Sequence, residues 1–182
     1  MAREGWHAHR AGRSFLSRLM ESSWHHAVDW IEAIRILTEG KAVKLNVKNM
    51  PSLGATQAFA KALKETKCGL TTLETVVPGD EGLQVFAAAL PETKAPLKIL
   101  SLTVCGIGDK GIVYLSKAME HSRCSIAHLN LAGNNIGDAG MHTLVCRLLQ
   151  PGRRSRLTYL DVSENDFQDD GAMSLAEGMR SE

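Results

Sequence analysis

A segment that repeats itself constrains this chain more than any other feature. From Leu97 it reads Leu97, Leu100, Leu102, Cys105, Ile107, Asp109, Gly111, Leu115, Met119. The same spacing from leading apolar residue to glycine returns as Ile126, Leu129, Leu131, Asn134, Ile136, Asp138, Gly140, with Leu144 and Leu148 following. It returns again as Leu157, Leu160, Val162, Asn165, Phe167, Asp169, Gly171, with Leu175 and Met179. Two earlier units are degenerate. One holds Leu70, Leu73, Asp80, Gly82, Phe86 and Leu90; its loop is two residues short, and Thr75 and Pro78 stand where Leu and Asn or Cys stand elsewhere. The first holds Ala42, Leu45, Val47, Phe59 and Leu63, with Ala55 in the glycine position. Five units with a period near 28 residues point to a stacked repeat array, because a single unit cannot bury both of its apolar faces.

Each position has a mechanical reason. Leu100 and Leu102 alternate, so they share one side of a short strand. Ile112, Leu115 and Met119 switch to helical spacing, as do Met141, Leu144 and Leu148. Between them, Asp109, Asp138 and Asp169 suit the N-cap of the helix they introduce, where a carboxylate accepts from free backbone N–H groups. The glycine two residues on lets the helix start lie close to the strand. Asn134 and Asn165 follow their strands, where a side-chain amide can bond the turn backbone. Cys105 fills the same slot with a weaker donor.

The pattern Leu-x-x-Leu-x-Leu-x-x-(Asn/Cys)-x-Ile followed by Gly-x-x-x-Leu resembles the ribonuclease-inhibitor subclass of leucine-rich repeats. The resemblance covers about residues 42–182 and is most specific over 97–182. It implies an α/β leucine-rich-repeat solenoid: a short arc with a parallel β-sheet on the concave side and α-helices on the convex side, each crossover right-handed. That subclass includes nuclease inhibitors, the sensing ends of innate-immune receptors, Ran GTPase activators and tropomodulins. The implication is a protein-binding scaffold with no catalytic role and no cofactor; a regulator of a GTPase or of actin rests on family analogy alone.

The ends read differently from the array. Residues 1–22 form a basic arm, with Arg3, Arg10, Arg13 and Arg18 against Glu4, or alternatively an organellar presequence over 1–20. Residues 23–41 are expected to hold an N-terminal capping helix over 24–38, apolar along Trp30, Ile34 and Leu37 with Ile31 beside them, and stopped by Gly40. At the other end no polar capping unit follows Leu175 and Met179. A partner or larger complex covering that edge is one expectation, a self-capping helix or a longer array the others; Gly178 is expected to weaken the helix.

Composition narrows the classes. The net charge of +1 gives no bulk attraction to nucleic acid, and no apolar run reaches the ~20 residues of a membrane span. Cys68, Cys105, Cys124 and Cys146 show no CxxC spacing and each falls inside a repeat, so reduced thiols and a cytoplasmic location are expected, the organellar alternative depending on the arm.

Candidate sites follow from the strand alternation. Outward positions are Lys44, Asn46 and Lys48; Thr72, Glu74 and Val76; Ile99, Ser101 and Thr103; His128, Asn130 and Ala132; Tyr159, Asp161 and Ser163. His128 and Tyr159 should adjoin beside Asn130 and Asp161, an aromatic and polar group suited to protein binding; the alternative is an ordinary solvated sheet face. The loop Pro151–Arg156 is a second candidate, because Leu148 to Leu157 spans nine residues where other junctions span seven, and Arg153, Arg154 and Arg156 stand in it near Arg147. A tolerated insertion is the plainer reading. Beyond it lie Asp161, Glu164, Asp166, Asp169, Asp170, Glu177 and Glu182 against Arg180, an acidic end that steers a partner or simply keeps the end soluble. His7/His9 and His25/His26 lack the ligand set of a metal site. His142 and Cys146, four apart on one helix, form a pair without an evident orienting acid, so no catalysis is expected there.

Overall fold

The computed structural model describes residues 28–40, 42–150 and 156–180. The chain order is α1 (Trp30–Thr38), β1 (Lys44–Val47), α2 (Leu53–Glu65), β2 (Thr72–Thr75), α3 (Gly79–Ala89), β3 (Ile99–Ser101), α4 (Asp109–Met119), β4 (His128–Asn130), α5 (Asp138–Leu144), β5 (Tyr159–Asp161) and α6 (Asp169–Arg180). The strands form one parallel sheet in sequence order, β1-β2-β3-β4-β5, and each helix packs on the next along the opposite side. This is the α/β leucine-rich-repeat solenoid that the spacing implied.

The period sets the register. Leu45, Leu73, Leu100, Leu129 and Leu160 lie in one transverse row, and the first four are fully buried. Ile107 and Ile136, Ile112 and Met141, Leu115 and Leu144 repeat the same burial one unit apart. Since fully burying such a side chain is worth about 1.5–3 kcal/mol, the stack of identical rows supplies most of the cohesion between neighbours.

The asparagines tie units together as well as turns. Asn134 accepts from the amides of Cys105 and Ile107 in the preceding unit at 3.0 and 3.1 Å, and donates to the carbonyls of Leu102 and Leu131 at 2.8 Å each. Asn165 repeats this toward Ile136, Leu131 and Val162. Cys105 substitutes with its thiol, which donates to the carbonyl of Thr103 at 3.4 Å and to that of Thr75 at 3.7 Å. Burial pushes that thiol up to about 11.

Two expectations are corrected. First, the aspartates do not cap their own helices. Asp109 is the first residue of α4, and its Oδ1 accepts from Gly137 and Gly140 at the start of α5, at 2.8 and 2.9 Å. Asp80 does the same for Gly108 and Gly111, and Asp138 for Gln168 and Gly171. The glycines make room for this. A Cβ on Gly111 would lie 2.5 Å from Asp80 Oδ1 and 2.8 Å from Ile107 Cγ2, and one on Gly171 2.7 Å from Asp138 Oδ1.

Second, the leading helix starts at Trp30, not Trp24. Asp29 caps it by accepting from the Glu32 amide at 2.9 Å, and Val28 is extended, bridging Val47; residues 24–27 lie outside the described residues. Its buried stripe is Ala33 and Leu37, with Trp30 and Ile34 half-buried, whereas Ile31 is 63% exposed. Gly40, at φ +69°, follows the helix as its stop.

Gly178 also has a packing role. A Cβ there would collide with Val145 Cγ1, so the glycine sets how closely α6 approaches its neighbour. The arm 1–22 lies outside the described residues, and among those described no helix is long and apolar enough to cross a membrane.

Candidate functional site

Strand alternation delivers the concave face in transverse rows. Lys44, Thr72, Ile99, His128 and Tyr159 form one row, and Asn46, Glu74, Ser101, Asn130 and Asp161 the next. The second row is polar. Asn46 donates to Glu74 at 3.1 Å, and burial pushes the Glu74 carboxyl above its usual range. Asn130 turns back to accept from the Ala132 amide at 2.9 Å, and Asp161 accepts from both the amide and hydroxyl of Ser163.

His128 and Tyr159 meet as the alternation requires. Their rings stack with centroids 5.6 Å apart and planes 20° from parallel. Burial lowers the His128 pKa, favouring the neutral imidazole, while burial and then the Asp161 charge raise that of Tyr159. His128 Nδ1 is buried and has no hydrogen-bond partner. The structure thus brings His128, Asn130, Tyr159 and Asp161 together on adjacent strands. It presents a half-buried aromatic step with the Asp161 carboxylate beside it, whereas His128 Nδ1 is buried and Asn130, read from the alternation as outward, is only 5% exposed because its side chain turns back onto the Ala132 amide.

The arginine loop divides. Arg153 and Arg154 lie outside the described residues, and Arg156 is exposed, its charge reaching Cys124. Arg147 pairs with Glu120 of the preceding unit at 2.9 Å. Residues 151–155 of that loop lie outside the described residues. The end of α5 opens into a wide turn, Val145–Leu149, where the Gln150 amide reaches the Val145 carbonyl five residues back at 3.2 Å.

That wide turn borders a cleft of about 250 Å³ against α6, lined by His142, Val145, Cys146, Gln150, Ser174, Glu177 and Gly178. Cys146 Sγ lies 3.5 Å from His142 Nε2 and accepts from Gln150 at 3.7 Å. Glu177 lines the same cleft, a neighbour that sequence spacing did not reveal because it belongs to the next unit. Cys146 is the hydrogen-bond partner of the His142 ring among the described residues. All four cysteines are free thiols, three of them buried. Among the described residues no three His, Cys, Asp or Glu side chains converge on a metal position.

Comparison with known proteins agrees with this geometry. The leucine-rich-repeat family model matches residues 93–116, 124–145 and 156–176, which are the three regular units. Two mouse (Mus musculus) proteins are similar in sequence. NACHT, LRR and PYD domains-containing protein 5 is 29% identical over 142 residues, 75% of this chain and 12% of that protein. NACHT, LRR and PYD domains-containing protein 4E is 39% identical over 79 residues, 43% of this chain and 8% of that protein. The chain therefore spans a small fraction of either relative. In three dimensions it resembles a solved structure described as leiomodin-1 actin-binding site 2, with TM-score 0.60 and 14% identity over 81% of this chain and 86% of that one. That likeness is one of fold.

Proposed function

Because this chain is a leucine-rich-repeat protein, we propose that it works as a non-catalytic recognition module whose concave face seats a segment of another protein. The stacked His128–Tyr159 pair carries this reading. It places two half-buried rings side by side on adjacent strands of the regular units, where aromatic anchors with nearby polar groups favour a protein contact. Asp161 supplies an adjoining carboxylate, and the charges of Arg153, Arg154 and Arg156, just before β5 in the sequence, suit a carboxylate-bearing segment. The ribonuclease-inhibitor-like subclass is part of the same reading, as is a reducing, cytoplasmic setting, with the organellar alternative if residues 1–20 act as a presequence. No nucleic acid is implied, since the charge is near balance. Actin is a partner worth testing, on the analogy of the leiomodin-1 fold alone.

The test is capture of binding proteins by the intact chain and by His128→Ala and Tyr159→Ala variants, with thermal unfolding followed in parallel. Loss of about tenfold or more in affinity by folded variants is expected. Folded variants that keep every partner at unchanged affinity would sink the concave-face reading.

A second reading, a structural subunit of a larger assembly, is favoured by one observation. In the fifth unit Met179 is 44% exposed, where its counterpart Leu148 in the fourth is 4% exposed.

A further inference from the structure

The end of α5 departs from the repeat, and the departure puts chemistry on the convex side. His142 and Cys146 occupy the positions that Val113 and Lys117 hold one unit earlier. Four residues apart where α5 runs into the wide turn, they share a face. Cys146 Sγ lies 3.5 Å from His142 Nε2 and 3.8 Å from its Nδ1. Gln150 donates to the same sulfur at 3.7 Å. Cys146 itself belongs to the wide turn Val145–Leu149, a rare local form that recurs at functional sites.

The pair opens into a cavity. The cleft of about 250 Å³ runs between that turn and α6, with Ser174, Glu177 and Gly178 as its far wall. Both walls belong to adjoining described units, so the cleft is a feature of a junction within the array. Gly178 brings α6 close, because a Cβ there would collide with Val145 Cγ1. The volume falls below the roughly 300–1,000 Å³ of sites for drug-sized ligands, so the cleft suits a group of a few heavy atoms.

The four thiols are not equivalent. Cys68, Cys105 and Cys124 are 6–8% exposed, and burial raises the pKa of Cys105 and Cys124. Cys146 is half-exposed and lines the cleft. The thiolate is the nucleophilic form, and a neighbouring imidazole that takes the thiol proton generates it. Glu177 lines the same cleft from α6. Arg147, next in sequence to Cys146, is engaged by Glu120 of the preceding unit.

We propose that Cys146 is a modification site at which a small cationic disulfide, of the aminothiol class, forms a mixed disulfide with the protein. His142 takes the thiol proton through Nε2, the nearer nitrogen, and Cys146 Sγ attacks one sulfur of the disulfide. The new Sγ–S bond forms as the disulfide's own S–S bond breaks. The departing sulfur leaves with the bonding electron pair and receives the proton from His142. Cys146 is thereby oxidised, and the departing half of the disulfide is reduced to a free thiol. Glu177 selects the charge, since its carboxylate attracts an ammonium group into the cleft and repels a carboxylate.

The test incubates the full chain, folded and reduced, with cystamine and separately with oxidised glutathione, which carries carboxylates. Mass spectrometry of the peptides locates and times the adduct, and each rate is taken relative to that of free cysteine with the same disulfide. Cystamine should modify Cys146 first, about tenfold faster or better than each of the other three thiols. His142→Ala should slow this reaction about tenfold at neutral pH. It should also move the pH profile of the rate upward, which a merely structural role for His142 would not do. Glu177→Gln should narrow the preference for cystamine over oxidised glutathione. His142 and Glu177 are exposed, so both variants should keep the parent's melting curve. A Cys146 rate no faster than that of free cysteine, a rate unchanged in folded His142→Ala, or a preference for oxidised glutathione would each overturn the proposal. None of these readouts involves His128 or Tyr159, so failure here is separable from failure of the concave-face reading.

Discussion

The first two units and the last three build the same sheet by different means. In the regular units each helix start is capped by the aspartate of the unit before it, and Asn134 and Asn165 bond backbone on both sides of a junction. In the degenerate units the caps are local. Ser52 accepts from Ala55 at 3.2 Å within its own helix, and Pro78 precedes α3 with no side-chain cap. Thr75 occupies a leucine position fully buried, its hydroxyl without a partner. The difference teaches that hydrophobic rows suffice to stack repeats, while the polar latches add coupling between neighbours. In a linear array that coupling is the interface contribution to stability.

The largest expected effect comes from attacking a row. Leu131→Asp places an unpaired carboxylate between two units at a fully buried site, costing on the order of 5 kcal/mol or more. Loss of the cooperative transition in circular dichroism checks it, and a chain that still melts cooperatively would mean the rows are not the main cohesion.

The latch comparison comes next. Asp109→Ala leaves two helix-start amides unpaired, and should cost about 2 kcal/mol; Ser52→Ala should cost about 1. Hydrogen exchange sharpens the contrast. Asp109→Ala should speed exchange in the following helix, α5, whereas Ser52→Ala should loosen α2 itself. If both variants loosened only the helix that carries them, the junctions would be equivalent and the distinction between the two halves would fall.

Thr75→Val should stabilise the chain by about 1 kcal/mol, since it removes an unsatisfied buried hydroxyl and keeps the shape; urea unfolding is the measure. Destabilisation would show that the hydroxyl is satisfied and that the second unit is less degenerate than it looks. The smallest effect belongs to Tyr159→Ala. Half-exposed on the concave face, it should cost under about 1 kcal/mol, and a large loss would contradict the placement of its side chain.

Much of this was legible in advance. Leu100 and Leu102 on one side of a strand, the pairing of His128 with Tyr159, and the burial of Leu115 and Leu144 follow from alternation and helical spacing, which depend on position along the chain alone. The convex cleft was not legible. His142 and Cys146 announce themselves four residues apart, but Glu177 joins them only because α6 packs on the end of α5 at the close approach of Gly178 to Val145. Ile31 misled for a similar reason: it lies beside the apolar stripe of α1, yet with α2 packed along only one side of the helix it faces water.

By itself, then, the sequence determined the unit, its period, the strand register and the side chains that point inward, because one-dimensional spacing fixes direction on a strand or helix. The tertiary structure decided which helix each aspartate caps. A carboxylate at a helix start has two sets of free amides within reach, its own and those of the following unit. Asp80, Asp109 and Asp138 take the second set because a glycine in the following unit leaves room for them there.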